Sequence, residues 1–210
     1  MGKSGGVVPY VLIPNKGILF ILGLESKGKN RGKWASFSGG LDNDGVFVGS
    51  KREFKEETMG IFDGYYDKFK YDSYYTYGGY RGYMVNVTPF FKNVIGPKNE
   101  ELKIRVVKSF LQSYNNLYSY MSKNRNLKGQ LNKHSYWEKS RLGLYTFSEM
   151  LSGSNMLLSH KNGMIMINKR EKVGVTLYRN ILRNAGLNTS GTEHSIKIRC
   201  LSFLKKSKIK

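Results

Sequence analysis

Apolar positions recur along the chain at two periods. "GVVPYVLI" and "ILFILGLES", separated by "PNKG", are near-continuous apolar runs around a turn, which predicts strand, turn, strand. A basic, glycine-bearing loop, "KGKNRGKW", follows, and then a turn-rich stretch, "ASFSGGLDNDG". Residues 46–59 carry the helical period. With Glu53 at 0° and about 100° per residue, Glu56 falls near 300° and Glu57 near 40°, whereas Phe47, Phe54 and Thr58 fall at about 100–140°. One face is therefore acidic and another apolar, and Gly49 on the acidic face leaves space for something to approach. "YDSYYTYGGYRGYMVNVTPFF" predicts a hairpin about its Gly-Gly pair. Residues 99–121 have helical spacing in Leu102, Val106, Phe110, Leu117 and Met121, and the polar "SKNRNLKGQLNKH" behind them predicts a loop. "SYWEKSRLGLYTFSEML" predicts a strand leading into a short helix near Ser148, and "VGVTLYRNILRNAG" predicts a further helix.

These elements describe an α/β (α+β) chain with a mixed sheet flanked by helices. At 210 residues, one domain is expected, with a core at about 6–160, a helical insertion at about 98–133 and a basic C-terminal helical extension at 161–210. No apolar run is long enough to span a bilayer, and the opening residues carry no signal-peptide pattern. "MGKSGG" lacks both the Ser or Thr of a myristoylation motif and the upstream glycine of a phosphate-binding loop. The single Cys200 excludes an intrachain disulfide, and with three scattered His it forms no zinc constellation. A cytoplasmic protein is the expectation.

Charge changes the picture. Lys and Arg number 35 against 15 Asp and Glu, a net charge of +20, which exceeds what solubility needs and favours a polyanionic partner. The competing account is compositional: 25 Lys against 10 Arg, with abundant Asn, Tyr and Ile, is what an AT-rich coding sequence produces. The basicity peaks in residues 161–210, which hold twelve Lys and Arg and two Glu.

Against this background, five of the 15 acids (Asp42, Asp44, Glu53, Glu56 and Glu57) fall within 16 residues. Carboxylates at i, i+3 and i+4 repel by a few tenths of a kcal/mol per pair on a solvated helix. A divalent cation turns that repulsion into attraction, and hard oxygen donors suit Mg²⁺ or Mn²⁺. Arg52, four residues before Glu56, is spaced to orient it by ion pairing. A plain solvated surface helix is the alternative for "EFKEE" alone.

In its context this stretch resembles the Nudix hydrolases. Their signature is a glycine, five residues, Glu, seven residues, Arg-Glu, an apolar residue, any residue, Glu-Glu, any residue and Gly. "GGLDNDGVFVGSKREFKEETMG" supplies Gly39, Gly40, Arg52, Glu53, Phe54, Glu56, Glu57 and Gly60. "GKWASFSGG" and "YWEKSRLGLYTFSEM" resemble the flanks, so the likeness spans roughly residues 6–150. There are departures. The stretch between Gly40 and Arg52 is two residues short, Asp44 stands where the family has Glu, and the closing glycine comes one position late.

The resemblance implies a Nudix-type α/β/α sandwich and cleavage of a pyrophosphate bond in a nucleoside diphosphate linked to another group. Glu53, Glu56 and Glu57 would be the ligands of Mg²⁺ or Mn²⁺, with Glu53, Arg52 and Glu138 in catalytic roles and Gly39 and Gly40 lining the substrate. Similarity to Nudix proteins of large DNA viruses, some of which remove mRNA caps, makes capped RNA the leading substrate. Lys205, Lys206 and Lys208 would then bind its phosphates, and the six tyrosines from Tyr71 to Tyr83 offer rings to stack a base, although strand pairing and core packing explain such tyrosines as well. Two other readings stand beside it: hydrolysis of small substrates (dinucleoside polyphosphates, diphosphoinositol polyphosphates or damaged nucleotides), and an RNA-binding module with a vestigial site. The sequence sets no oligomeric state.

Overall fold

The structure is a computed structural model that describes residues 4–13, 17–41, 45–77, 79–92, 100–124, 137–146, 149–150, 182–183, 187–192, 195–196, 198–199 and 202. The predicted helix at "VGVTLYRNILRNAG", apart from Leu182 and Arg183, and most of the loop after residue 124 lie outside these residues.

The first apolar run is β1 (Ser4–Ile13), and all of it but Ser4 is buried. A strand buried on both faces belongs at the centre of a sheet, which explains why its apolar run does not alternate. It runs parallel to β6 (Tyr80–Asn86) on one edge. On the other edge its C-terminal half pairs with β2 (Gly17–Glu25) and its N-terminal half with β4 (Phe37–Gly40), both antiparallel. Pro9 falls where β1 changes partner, after Val7 and before Tyr10, a place where a strand tolerates a residue without an N–H. Beyond β2 lies β7 (Lys139–Thr146), and beyond β6 lies β5 (Tyr71–Tyr77). The sheet is therefore mixed, as the sequence predicts, and among the described residues it has seven strands.

One expectation fails here. "ASFSGG" is not turn but strand: β3 (Trp34–Ala35) pairs with β2 and β4 pairs with β1, so the two fill the fork where β1 and β2 diverge. Glycines suit this strand because a helix crosses it at close range, and their usual reading as turn formers hides that use.

The two faces of the sheet carry separate cores. Val8, Tyr10 and Leu12 face one side with Phe20, Tyr75 and Met84, under Met150, Leu182 and Ile196 from the later part of the chain. Val7, Val11 and Ile13 face the other, under α1 (Val46–Glu57) and α3 (Glu100–Lys123). A short helix, α2 (Thr88–Lys92), leaves the end of β6. Helix α1 stops two residues before the predicted end. The Thr58 hydroxyl donates to the Phe54 carbonyl at 2.5 Å, and Met59 (φ 50°) and Gly60 (φ 72°) turn left-handed, with Gly60 N bonded to Lys55 O at 3.0 Å. The closing glycine of the acidic motif is thus the helix stop. The buried stripe of α3 is Val107, Leu111 and Tyr114, offset from the predicted one, and Leu117 is exposed. The offset brings Tyr114 and Asn115 to β7: Asn115 accepts from Leu142 N at 2.8 Å and so pairs the outer edge of that strand. Among the described residues no helix is long and apolar enough to cross a membrane.

Phe54 joins α1 to the core. It is fully buried, and its ring centroid lies 5.0 Å from Phe37, 5.2 Å from Phe62 and 5.6 Å from Tyr66. Phe54→Ala is expected to destabilise the fold by about 3–5 kcal/mol, read as a lower denaturant midpoint with an unchanged slope.

Candidate active site

Helix α1 crosses the sheet over two paired glycines, Gly5 of β1 and Gly39 of β4. A Cβ on Gly5 would lie 2.5 Å from Ser50 Oγ, and one on Gly39 would lie 2.2 Å from Glu53 Oε2. The helix seats at this depth because neither position has a side chain. The acidic face is consequently enclosed: Glu53, Glu56 and Glu57 are all buried, as are Gly49 and Ser50. This differs from an open acidic face with room beside Gly49.

Enclosed carboxylates need partners, and each has one. Arg52 Nη1 lies 2.9 Å from Glu53 Oε1 and 3.5 Å from Glu56 Oε2, so one guanidinium bridges both acids. Its Nη2 reaches the Gly40 carbonyl at 3.4 Å. Glu57 Oε2 accepts from the backbone N–H of Ser38 at 2.7 Å, which ties the end of α1 to β4. Glu57 Oε1 lies 3.2 Å from Lys139 Nζ, an ion pair without hydrogen-bond geometry. Lys139 itself is wholly buried, runs over Gly23 and donates to Glu25 Oε1 at 2.5 Å. The Tyr114 hydroxyl closes this group, 2.6 Å from Lys139 O and 3.1 Å from Glu57 O.

Electrostatics follow from this enclosure. Burial raises the Glu53 carboxyl above its ordinary value against the pull of Arg52, with Glu56 and Glu138 adding negative potential. Burial pushes Glu57 up to about 8, opposed by Lys139 and reinforced by Glu25 and Glu138. Burial also works against the Lys139 ammonium, but Glu57 and Glu25 outweigh it and hold that proton more firmly than in an ordinary lysine. Glu138, outside the helix, is therefore close enough for Glu53 and Glu57 to feel its charge. Its backbone carbonyl accepts from Ser26 N at 2.7 Å, and its carboxylate lies 3.7 Å from Lys27 Nζ.

Gly39, Gly40, Arg52, Glu53, Glu56, Glu57 and Glu138 thus share one region. Asp44, Lys205, Lys206 and Lys208 lie outside the described residues. Among the described residues no group of three or more His, Cys, Asp or Glu side chains is drawn together to hold a metal ion. The donor chemistry nevertheless fits a hard cation. Glu53 and Glu56 already share one positive group, their oxygens are hard donors, and burial, with smaller contributions from neighbouring carboxylates, raises the proton affinities of Glu53 and Glu57. Sequence reasoning missed Glu25, Lys139 and Tyr114. For Glu25 and Lys139 the signal was a charge at the end of an apolar strand, "ILFILGLE" and "KSRLGLYT", which resembles ordinary strand ends.

Fold and site together define a mixed-sheet α/β protein in which an acidic helix is docked on a glycine-bearing strand. No family model matches the sequence, and no curated protein matches it. Among solved structures the chain is similar to a mutT/nudix family protein from Listeria innocua, with 14% identity, 77% of this chain and 87% of that one covered, and a TM-score of 0.41. It is also similar to an Ap4A hydrolase of C. elegans, with 20% identity, 41% and 66% covered, and a TM-score of 0.29. A Nudix hydrolase from M. smegmatis shows 12% identity, 40% and 60% covered, and a TM-score of 0.31. Likeness at this level says nothing of what this chain binds or cleaves.

Lys139 tests the electrostatic account. Lys139→Met leaves Glu25 and Glu57 buried without their shared cation, and is expected to destabilise the protein by about 3–5 kcal/mol. Thermal or denaturant unfolding reads the loss. A change under 1 kcal/mol would mean that water already reaches the pair.

Proposed function

We propose that the protein is a metal-dependent pyrophosphohydrolase of the Nudix type, cleaving a nucleoside diphosphate from a group linked to it, and that capped RNA is its substrate. The observation that carries this reading is the enclosure of Glu53, Glu56 and Glu57 against β4, with Glu138 contributing charge from another element. Three buried carboxylates on one helix, paired with only two cationic side chains, form an arrangement that a bound cation would favour. The intact "REFKEE" core of the signature supports the same reading. The net charge of +20 supports a long anionic substrate.

Glu53 and Glu56 would hold Mg²⁺ or Mn²⁺ in competition with Arg52, and Glu57 would join them in competition with Lys139. A bound ion would supply charge stabilisation for in-line displacement at phosphorus. Arg52 keeps the two nearer carboxylates oriented, Gly39 leaves room for the Glu53 carboxylate, Gly40 leaves backbone rather than side chain facing the substrate, and Glu138 takes the proton of the attacking water.

Incubation with Mg²⁺ and cap-labelled RNA, in parallel with a panel of dinucleoside polyphosphates, diphosphoinositols and damaged nucleotides, tests the substrate. Release of a capped nucleoside diphosphate is expected. Turnover of small substrates alone would replace RNA with that class, and tight RNA binding without turnover would sink the hydrolase reading. Glu56→Gln is expected to lower turnover by roughly two orders of magnitude or more while the protein remains folded. Full activity in excess chelator would refute the metal.

Basic residues near the C-terminus supply a separate test. If Lys205, Lys206 and Lys208 neutralise RNA phosphates, affinity falls by orders of magnitude between about 50 and 200 mM salt. Replacing all three with Ala is expected to flatten that slope and raise KM for long RNA, with cleavage of a short cap analogue nearly unchanged. Equal handling of long RNA and cap analogue at all salt concentrations would show the charge to be compositional.

A further inference from the structure

Four rings from three elements meet on the flank of α1 away from its acids. Phe47 of α1 lies 4.9 Å from Tyr71 and 4.8 Å from Tyr83, centroid to centroid, and Tyr71 lies 5.0 Å from Tyr83. Tyr74 joins at 6.3 Å from Tyr71 and 6.2 Å from Tyr83. Tyr83 is buried and anchors the group, whereas Tyr71 and Tyr74 are 46% and 50% exposed. Aromatic rings that are half exposed yet held by a buried base are fixed platforms rather than loose surface groups.

Two cations border the rings. The Arg81 guanidinium lies 5.1 Å from the Tyr74 centroid, and Lys51 Nζ lies 5.5 Å from the Phe47 centroid. Six residues, about 9 Å along the axis, and about a third of a turn separate Phe47 from Glu53 on α1. The patch is therefore distinct from the acids but carried by the same helix. Core packing explains Tyr75 and Tyr83, which are buried; it does not explain two exposed tyrosines flanked by cations in a chain of +20.

We propose that Tyr71 and Tyr74, with Arg81 and Lys51, form a docking site for single-stranded nucleic acid, whose bases stack on the two rings while its phosphates meet the two cations. Stacking on exposed aromatics is sequence-tolerant, and neighbouring cations suit a phosphate backbone. Binding here does not depend on hydrolysis. Only the further statement, that the site holds nucleotides downstream of a 5′ end being cleaved, rests on the proposed function.

Fluorescence anisotropy with a labelled adenine-rich 12-nucleotide RNA, metal-free and with the Glu56→Gln protein as well as the wild type, reads binding apart from turnover. Single-stranded RNA is expected to bind more tightly than a duplex of the same length, with single-stranded DNA comparable to RNA. Tyr71→Ala and Tyr74→Ala are each expected to weaken binding roughly tenfold, and Tyr→Phe at either position to restore it. Arg81→Gln should weaken binding and lower the salt dependence. Hydrolysis of a dinucleoside polyphosphate by the Tyr variants should match wild type. Photocrosslinking of 4-thiouridine RNA to the unmodified protein should map to Tyr71 or Tyr74, independently of how the variants fold. Crosslinks only elsewhere, a preference for duplex, or unaltered affinity in both Tyr→Ala variants would overturn the proposal. Binding that survives while no substrate is turned over would leave the site standing and remove the hydrolase reading.

Discussion

The depth at which α1 sits on the sheet decides most of what this protein can do. Two glycines paired across β1 and β4, Gly5 and Gly39, leave no side chain between strand and helix. Any larger residue at Gly39 would meet the Glu53 carboxylate, and overpacking of that kind costs about 1–3 kcal/mol. From this close seat follow the enclosure of all three glutamates, the bond from Ser38 N to Glu57, and the reach of Arg52 to Gly40. Phe54 fixes the helix rotation on the opposite side, because its ring fills the space among Phe37, Phe62 and Tyr66.

Enclosure creates a problem that the rest of the site answers. An ion buried alone costs several kcal/mol, and a neighbouring like charge makes it worse. Arg52 answers it for Glu53 and Glu56, and Lys139 answers it for Glu57 and Glu25. The two cations differ in consequence. Arg52 is partly exposed and its contact to Glu56 is long, so it can yield to a competing cation. Lys139 is wholly buried, and its main chain is held by Tyr114. It is a fixed part of the frame, so Glu57 is the least free of the three acids. The signature treats Glu53, Glu56 and Glu57 as equivalents; their surroundings do not.

The sequence showed the acids, the amphipathic helix, the opening strand pair, the later hairpin and the last strand, because each depends on local period or on charged residues close in the chain. It hid what depends on tertiary approach. "ASFSGG" carries turn composition, yet its glycines serve a helix that crosses them, a use no local pattern reveals. Glu25 and Lys139 are 114 residues apart, and each alone looks like a solvated strand end. The stripe of α3 was misplaced because Tyr114 and Asn115 are polar enough to read as surface, whereas both are drawn inward by backbone groups of α1 and β7. The closing Gly60 was legible as part of a motif, but its physical use, a left-handed helix stop, was not.

One helix therefore orients two kinds of chemistry. Its C-terminal half holds carboxylates against β4, and its first turns hold Phe47 against the tyrosines of β5 and β6, with Lys51 over the Phe47 ring. A rigid helix fixes the spacing of these two surfaces, which loops could not do as closely. The same glycines that enclose the acids also keep the N-terminal half of α1 low on the sheet, with Val46 and Ser50 over Gly5 and Phe47 within reach of Tyr83. A side chain at Gly5 would lift that half, parting Phe47 from Tyr83 and loosening the base on which Tyr71 and Tyr74 rest. The acidic and aromatic surfaces are consequently coupled through one packing constraint, although they share no residue.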